Sequence, residues 1–365
     1  MSDAFGKFFL PGPTEVLPEI LAAQNKPMIG HRSGKTEELL AAIAPGLKAA
    51  FRTSRPVIIA TCSATGLMEA AIRGGVKKKV LCLVNGAFSQ RFADIAKACG
   101  REVHAAKIDQ GRTFEPDQVR SLLKESGADA VTLVHSESSS GALNPAFEIA
   151  AAVRASGDVM VLVDGVTSVG GSPVETDAWG LDFVITGSQK ALALPPGLAF
   201  GVASERMIER AKTLPGRGIY LDIVPYDEQI RKNQTPYTPA VSLFYALHAQ
   251  LARIAASGGI EARWARHDAM RQTVERWSAA AGKERGMAFL PDAGRRSWTV
   301  SCLKLGKPQP TGSEITKAMK TKGFTIASGY KDLKETTIRI GHMGDHTVQE
   351  TEAVLAALEE VVPRG

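Results

Sequence analysis

The chain has 365 residues, of which 44% are hydrophobic and 22% charged, and this composition supports a large folded core rather than a disordered polypeptide. The net charge of +6 arises from 44 basic and 38 acidic residues spread along the chain, so we expect no nucleic-acid partner. No apolar run is long enough to span a membrane, and the first residues lack the pattern of a secretory signal. The four cysteines are scattered without a C-x-x-C pair, which favours reduced thiols in the cytoplasm.

Short apolar runs alternate with helix-like segments from about Pro56 to Ser204. The predicted strands are Val57–Thr61, Val80–Val84, Val103–Ile108, Ala130–Val134, Met160–Val163, Phe183–Thr186 and Leu198–Val202. Strands that alternate with helices at this spacing are typical of an α/β domain whose mostly parallel sheet is covered by helices on both faces. Sheets of this kind bind their ligands at the carboxyl ends of the strands.

The pattern changes after about Val241. Residues 242–256 and 260–280 have the spacing of long helices, and the segment from Trp298 onward mixes short strands with helices. We therefore predict an N-terminal segment of residues 1–14, a large domain of residues 15–260 and a smaller C-terminal α+β domain of residues 261–365.

Sequence motifs for other ligands are incomplete. Gly34-Lys35-Thr36 is similar to the end of a phosphate-binding P-loop, but Ile29 occupies the position of the required glycine, so we predict a helix start. No G-x-G-x-x-G follows the first predicted strand, which argues against a dinucleotide-binding unit. His342 and His346 lack the glutamate of H-E-x-x-H and have Gly344 between them, so we predict a surface loop and no metal site.

Two neighbouring predicted strands are followed by side chains with complementary chemistry. Asp164 follows the apolar run Val161–Val163, and Lys190 comes shortly after Phe183–Thr186. Each alone has an ordinary explanation, since a strand-end aspartate often caps a helix or turn and a lysine there can point to solvent. Together on one sheet edge they are the minimal set for pyridoxal phosphate chemistry, because the amine forms an imine and the carboxylate keeps the pyridine nitrogen protonated.

A run of small residues, Thr61-Cys62-Ser63-Ala64-Thr65-Gly66, lies between the first predicted strand and the helix that follows. Hydroxyl groups and unpaired backbone N–H groups at such a position suit a phosphate. This run is therefore a candidate for the phosphate end of the same site.

Several segments carry a family resemblance. They are Leu10–Thr14, Met28–Arg32, Glu137–Gly141, Asp164–Ser168, Gly187–Leu192 with Pro195–Gly197, and Ile338–Gly344. These segments closely resemble the class V pyridoxal-phosphate-dependent aminotransferases, and the nearest match is the alanine–glyoxylate and serine–pyruvate branch. The resemblance covers nearly the whole chain. It implies a fold-type I transferase that binds pyridoxal phosphate and exchanges amino groups between alanine or serine and glyoxylate or pyruvate.

The resemblance also implies a role for each matching residue. Lys190 corresponds to the Schiff-base lysine that moves the substrate proton, and Asp164 to the partner of the pyridinium nitrogen. The remaining cofactor contacts implied are Val166 under the ring, Ser139 near its polar edge, and Ser63, Ala64, Thr65 and Gln189 around the phosphate. Phe88 falls where the family has a stacking aromatic, although a core position explains it equally well from sequence alone. Arg339 corresponds to the arginine that binds the substrate carboxylate.

The family is dimeric, and each active site is completed by a loop of the second subunit. Here that loop corresponds to Gln234–Pro239, with Thr238 reaching the phosphate in the other subunit. Close relatives have a tyrosine at the position of Thr235, so a phosphate contact from Thr235 or from Tyr237 remains open.

Other amino donors and another enzyme class share this fold and cofactor. Phosphoserine or aspartate as amino donor is an alternative, because fold does not determine substrate. Cysteine desulfurases have histidines where Gln189 and Phe88 stand and need an exposed cysteine nucleophile, which none of the four cysteines resembles. A dicarboxylate substrate would need a second cation, and no motif places Arg32 or Arg217 in the pocket, so we predict small donors and small acceptors.

Overall fold

The computed structural model describes residues 7–306 and 310–365, which form two main β-sheets surrounded by helices. The described strands are, in chain order, β1 (Lys7–Phe9), β2 (Ile58–Ala60), β3 (Lys79–Val84), β4 (Glu102–Lys107), β5 (Ala130–Val134), β6 (Ser136–Glu137), β7 (Ala142–Leu143), β8 (Met160–Asp164), β9 (Phe183–Gly187), β10 (Ala199–Ala203), β11 (Met287–Phe289), β12 (Val300–Leu305), β13 (Phe324–Ser328) and β14 (Thr337–Gly341).

The described α-helices are α1 (Pro18–Ala22), α2 (Gly34–Phe51), α3 (Ala64–Gly75), α4 (Ala87–Ala98), α5 (Pro116–Ser126), α6 (Ala146–Arg154), α7 (Glu205–Thr213), α8 (Ile223–Ile230), α9 (Val241–Ala256), α10 (Gly259–Trp277), α11 (Gly312–Thr321) and α12 (Val348–Val361). A π-helical turn, Ser278–Gly282, follows α10. None of the helices in the described part of the chain has both the length and the apolar character needed to cross a membrane.

The larger sheet has seven strands in the order β2-β10-β9-β8-β5-β3-β4. Strands β4, β3, β5, β8 and β9 run parallel to one another, whereas β10 is antiparallel to both β9 and β2. The predicted mostly parallel sheet is therefore confirmed. All seven predicted strands overlap an observed strand of this sheet.

Helices cover both faces of the larger sheet, and successive residues of a strand point to opposite faces, so each strand contributes to two cores. Leu81 and Leu83 pack into a core that includes residues of α2, α5, α6 and α9. Val80 and Cys82 pack into a second core that includes residues of α3, α4, α7 and α8. Burial on both faces explains why these strands are continuous apolar runs rather than alternating ones.

The smaller sheet has five strands in the order β1-β13-β14-β12-β11 and packs with α11, α12 and the end of α10. This confirms the predicted smaller α+β unit. β1 pairs in parallel with β13, so a strand near the N-terminus joins a sheet otherwise formed by C-terminal residues. The domain boundaries given above stay a prediction.

The segment with His342 and His346 corrects the expectation of a surface loop, because both side chains are buried. His342 Nε2 lies 2.9 Å from Ser301 Oγ, and His346 Nε2 lies 2.8 Å from the carbonyl oxygen of Phe8. The Phe9 ring stacks on His346 with 4.1 Å between the ring centres. Strands β1 and β12 cover the segment, and both are distant from it in sequence.

Candidate active site

Asp164 and Lys190 lie at the same edge of the larger sheet. β8 ends at Asp164, and the adjacent parallel strand β9 ends at Gly187, three residues before Lys190. Asp164 is paired in register with Ile185, so the carboxyl ends of the two strands are close together. Both side chains line one cavity, as the spacing of the two strands in the sequence predicts.

That cavity is built mainly from strand ends and the starts of two helices. Its lining residues are Ser63, Ala64, Thr65, Met68, Phe88, Arg91, Val134, Ser136, Ser138, Asp164, Val166, Thr167, Gln189 and Lys190. Eight of the site residues named from the sequence are among them. Ser139, Thr238 and Arg339 are not.

Burial shifts the pKa values of Lys190 and Asp164 in opposite directions. Burial lowers the pKa of Lys190 to about 8, with the nearby positive charges of Arg339 and Arg91 acting in the same direction and Asp164 opposing them. Burial raises the pKa of Asp164 to about 6, although a hydrogen bond from the Val166 N–H and the charge of Lys190 partly offset this. A larger fraction of Lys190 is therefore the uncharged, nucleophilic amine near neutral pH.

The residues before Thr14 hold the Lys190 side chain. Lys190 Nζ donates a hydrogen bond to the carbonyl oxygen of Pro11, and the Thr14 N–H donates one to Gln189 at 3.1 Å. Gly12 has a φ of +106°, and a Cβ atom there would lie 2.4 Å from Lys190 Nζ. Only glycine fits this close approach without moving the lysine.

The opposite end of the cavity is the start of α3. Ser63 is the N-cap residue, and its side chain makes no capping hydrogen bond. The first backbone N–H groups of a helix have no acceptor within the helix, and the helix dipole favours negative charge there. Ala64, Thr65 and Gln189 line the cavity beside this helix end, so the arrangement suits an anion.

The start of α4 forms a further wall and contains a residue that the sequence reasoning missed. The Arg91 guanidinium lies 4.9 Å from the centre of the Phe88 ring, and the Tyr330 ring lies 5.8 Å from the same ring. Among the described residues no hydrogen-bond or ion-pair partner of Arg91 is found. Its spacing of three residues from Phe88 in a helix is the signal that could have identified it.

Ser139 and Arg339 lie behind this lining. Ser139 is fully buried, and its hydroxyl donates to Glu137 and accepts a hydrogen bond from the Ala87 N–H at 3.0 Å. Arg339 donates from Nε to the Ser328 carbonyl at 3.0 Å and from Nη1 to the Ser138 carbonyl at 3.1 Å. A guanidinium has five N–H donors, so three remain for a ligand.

Thr238 is exposed in the connection between α8 and α9, away from the cavity of its own chain. The Thr235 hydroxyl donates to the Tyr237 carbonyl at 2.9 Å, and the Tyr237 hydroxyl donates to the carbonyl of Ile219. Arg32 donates to the Thr235 and Pro236 carbonyls, which anchors this connection to the same subunit.

Comparison with known proteins identifies the family. A family model for class-V aminotransferases matches residues 21–331. The chain belongs to the class-V aminotransferase family. This aminotransferase is 38% identical to an uncharacterized aminotransferase of Methanocaldococcus jannaschii, over 98% of the chain and 93% of that relative. It is 34% identical to a protein of Synechococcus named the small subunit of a soluble hydrogenase, with 97% and 92% covered. It is 29% identical to a serine–glyoxylate aminotransferase of Methylorubrum extorquens, with 92% and 86% covered.

Solved structures of aminotransferases share the fold of this class-V aminotransferase. An aspartate aminotransferase of Thermus thermophilus superposes with a TM-score of 0.88 at 31% identity, over 98% of this chain and 99% of that one. An alanine–glyoxylate aminotransferase of Nostoc superposes with a TM-score of 0.91 at 27% identity, over 98% and 95%. The predicted fold-type I transferase is therefore confirmed.

Enzymes of the class-V aminotransferase family depend on pyridoxal phosphate. The residues of the cavity fit this cofactor. Lys190 supplies an amine, the buried Asp164 supplies a carboxylate, and the free start of α3 supplies donors for a phosphate. Phe88 and Val166 supply apolar surface beside an aromatic ring.

Proposed function

We propose that this enzyme transfers the amino group of a small amino acid, alanine or serine, to a small 2-oxo acid, glyoxylate or pyruvate. The observation that carries the proposal is the meeting of Lys190 and Asp164 in one cavity of a class-V aminotransferase. Two similar proteins, named serine–glyoxylate and alanine–glyoxylate aminotransferases, support this choice of substrates.

Bound pyridoxal phosphate supplies an electron-accepting ring for the electrons released when the substrate α-proton leaves. Lys190 would hold the cofactor covalently and would carry that proton as general base and acid, a role that its lowered pKa supports. Asp164 keeps a proton on the ring nitrogen through an ionic hydrogen bond. We assign cofactor contacts to Ser63, Ala64, Thr65, Phe88, Ser139, Val166 and Gln189 as the family resemblance implies.

Arg339 binds the carboxylate that every α-amino acid and 2-oxo acid substrate presents. Its guanidinium is held by two backbone carbonyls, and its remaining N–H groups are sufficient for two parallel hydrogen bonds to a carboxylate. The positive charge of Arg339 lowers the pKa of Lys190, which is consistent with a guanidinium close to the amine that reacts with the substrate.

Aspartate is the second candidate donor. The Arg91 guanidinium lines the cavity without a hydrogen-bond or ion-pair partner among the described residues, so a second carboxylate could be accommodated there. The aspartate aminotransferase of Thermus thermophilus is a structural neighbour. By contrast, Arg217 is paired with Asp222 at 2.9 Å and Arg32 with backbone carbonyls.

Cysteine desulfurase chemistry has little support. Cys82 and Cys302 are buried, and burial raises the pKa of each thiol to about 11, as it does for the half-buried Cys62. A nucleophilic cysteine needs an exposed thiol with a lowered pKa. The four free thiols fit the reducing cytoplasm, where we place the enzyme.

A substrate panel tests the proposal. Alanine, serine, aspartate, glutamate and phosphoserine are assayed as donors with glyoxylate, pyruvate and 2-oxoglutarate as acceptors. We expect alanine or serine with glyoxylate or pyruvate to have the highest kcat/KM, and Arg339→Lys to lower kcat/KM for all donors by on the order of a hundredfold. Glutamate or aspartate as the best donor would contradict the small-substrate assignment.

The covalent attachment is tested separately. Borohydride reduction of the protein with pyridoxal phosphate, followed by peptide mapping, should place the label on Lys190. Lys190→Ala should lose the yellow colour and the activity. A label on another lysine would remove Lys190 from the mechanism.

A further inference from the structure

Glu137 is a buried carboxylate beside the active site that the mechanism above does not use. It is 0% exposed, and both of its oxygens accept hydrogen bonds. Oε1 accepts from the Phe88 N–H at 3.2 Å and from the N–H and hydroxyl of Ser139, and Oε2 accepts from the N–H and hydroxyl of Ser89 at 2.9 Å each. Within residues 7–306 and 310–365, no lysine, arginine or histidine forms an ion pair with it. A buried network whose hydrogen bonds are satisfied in this way rigidifies the groups that it joins.

The first role is at the start of α4. The residue before this helix is Gly86, which has no side chain to cap it, and Glu137 accepts from the Phe88 and Ser89 N–H groups instead. A Cβ atom on Gly86 would lie 2.4 Å from Glu137 Cγ and 2.5 Å from Ser139 Oγ. The glycine therefore permits the carboxylate to approach, and a negative charge there is favoured by the helix dipole. Phe88, which lines the cavity, is fixed by this contact.

The second role is in the turn that follows Glu137. The carbonyl of Ser138 accepts the hydrogen bond from Arg339 Nη1, and the Ser139 hydroxyl accepts one from the Ala87 N–H. The same carboxylate accepts from the Ser139 N–H, so it holds this turn against the start of α4. The Glu137 side chain therefore links Phe88 in the cavity wall to the turn whose Ser138 carbonyl accepts the hydrogen bond from Arg339.

We propose that Glu137 is a positioning residue that aligns Phe88 with the bound cofactor and Arg339 with the substrate carboxylate. This inference rests on the proposed function. Replacing the carboxylate by an amide turns one oxygen into an NH2 group, and each oxygen faces at least one backbone N–H that can only donate, that of Ser89 on one side and those of Phe88 and Ser139 on the other. One side of the junction must therefore lose its backbone hydrogen bonds. We expect Phe88 and Arg339 to lose their positions together.

Glu137→Gln is the test, and Asp182→Asn is its matched control. Asp182 is also a buried acid that accepts several hydrogen bonds, from the Val161 N–H, Ser204 and Arg206, but it lies at the other end of β9. Both variants should unfold at lower temperature. Only Glu137→Gln should raise the dissociation constant of pyridoxal phosphate for the apoprotein and the KM for alanine, each by on the order of tenfold.

A double mutant separates positioning from general destabilisation. In a Phe88→Ala background, Glu137→Gln should raise the pyridoxal phosphate dissociation constant by a smaller factor than in the wild-type background, because the part of its effect that passes through Phe88 is already lost and only the part through Ser139 remains. If Glu137→Gln fails to fold, Ser89→Ala removes one of the five hydrogen bonds and should shift the same two constants in the same direction by a smaller factor.

The outcomes distinguish this inference from the proposed function. Wild-type affinity for pyridoxal phosphate and a wild-type KM in Glu137→Gln, or changes equal to those of Asp182→Asn, would overturn the positioning role. Full additivity with Phe88→Ala would also overturn it. Retained activity and colour in Lys190→Ala would instead overturn the proposed function, whatever Glu137→Gln does.

Discussion

Burial places a large electrostatic cost on Asp164 in the cofactor-free protein. The side chain is 4% exposed, and burial raises its pKa from 3.8 to about 6, which corresponds to on the order of 3 kcal/mol. A folded-state pKa above the unfolded value means that the native state binds the proton more tightly, so stability decreases as the pH rises from about 4 to about 6. Bound pyridoxal phosphate would offset this cost with a positive ring nitrogen.

Asp164→Asn should therefore stabilise the apoprotein while abolishing turnover. The amide cannot ionise, and its oxygen can still accept the Val166 N–H. We expect the free energy of unfolding at pH 7 to rise by about 1–3 kcal/mol and the gain to disappear near pH 4. Urea unfolding of the two apoproteins at both pH values measures it, and an equal or lower stability of the variant at pH 7 would contradict the account.

Arg91 affects the pH dependence of the same site. Its charge lowers the pKa of both Asp164 and Lys190, although burial is the largest effect on each. In Arg91→Gln the pKa values of Asp164 and Lys190 should both rise. As the pH is lowered, the Asp164 carboxylate and the Lys190 amine should therefore become protonated at a higher pH than in the wild type. We expect the acid limb of pyridoxal phosphate uptake by the apoprotein to move to higher pH. Lys97→Gln, which removes an exposed charge from the same helix, should leave the limb in place.

At the scale of secondary-structure elements, Asp345 joins α9 and α10 to the segment after β14. Its side chain is 5% exposed and lies 2.8 Å from Arg263 Nη1 and 2.9 Å from Arg253 Nη1, and Gln250 donates to its other oxygen. Burial by itself would raise the pKa of Asp345, but Arg263 and the hydrogen bonds outweigh it and lower the pKa to about 2. The segment after the Arg339 strand is thus fixed by a buried ion cluster.

Asp345→Asn should lower the free energy of unfolding by about 3 kcal/mol at neutral pH, because it leaves the buried Arg263 without its charged partner. The difference in the free energy of unfolding between the variant and the wild type should have its full size above about pH 4. It should shrink as the pH falls toward 2, because the Asp345 carboxyl of the wild type loses its charge there. Glu261→Gln, which breaks an exposed ion pair on α10, should cost less than about 1 kcal/mol in the same denaturation series. Equal losses in the two variants would argue against the cluster.

At the scale of the whole molecule, we propose that the enzyme is a homodimer with shared active sites. Thr238 is exposed, and its hydroxyl has no hydrogen-bond partner in the described part of its own chain. The neighbouring Thr235 and Tyr237 hydroxyls both bond to carbonyls within the subunit, which leaves Thr238 as the better candidate to reach the phosphate of a second copy.

Subunit mixing tests this arrangement. Lys190→Ala and Thr238→Trp homodimers should each be inactive or nearly so, but an equal mixture should regain about a quarter of the wild-type activity through hybrid dimers with one intact site. Light scattering should give the mass of a dimer for each. An active monomer, or a mixture with no regained activity, would contradict a shared site.

Local sequence patterns predicted much of the molecule. Helix α2 begins at Gly34 and α9 spans Val241–Ala256, close to the predicted positions, because these segments carry their own end signals and apolar spacing. Asp164 and Lys190 were identified for a similar reason, since adjacent parallel strands bring their carboxyl ends to one edge. The burial of His342 and His346 was not predictable, because the strands that cover them are remote in sequence.

The sequence by itself determined the strands, the functional edge of a mostly parallel sheet and the chemistry of Lys190 and Asp164, because apolar runs and residue types are local properties and parallel pairing brings the strand ends to one edge. Only the tertiary structure decided what surrounds them. The sequence puts Arg91 three residues after Phe88 and Glu137 at the start of a segment that resembles the family, but only packing places Arg91 on the cavity and Glu137 between α4 and the carbonyl that holds Arg339. Burial then sets the pKa values of about 8 and about 6, since desolvation depends on every element packed around a group and not on its neighbours in sequence.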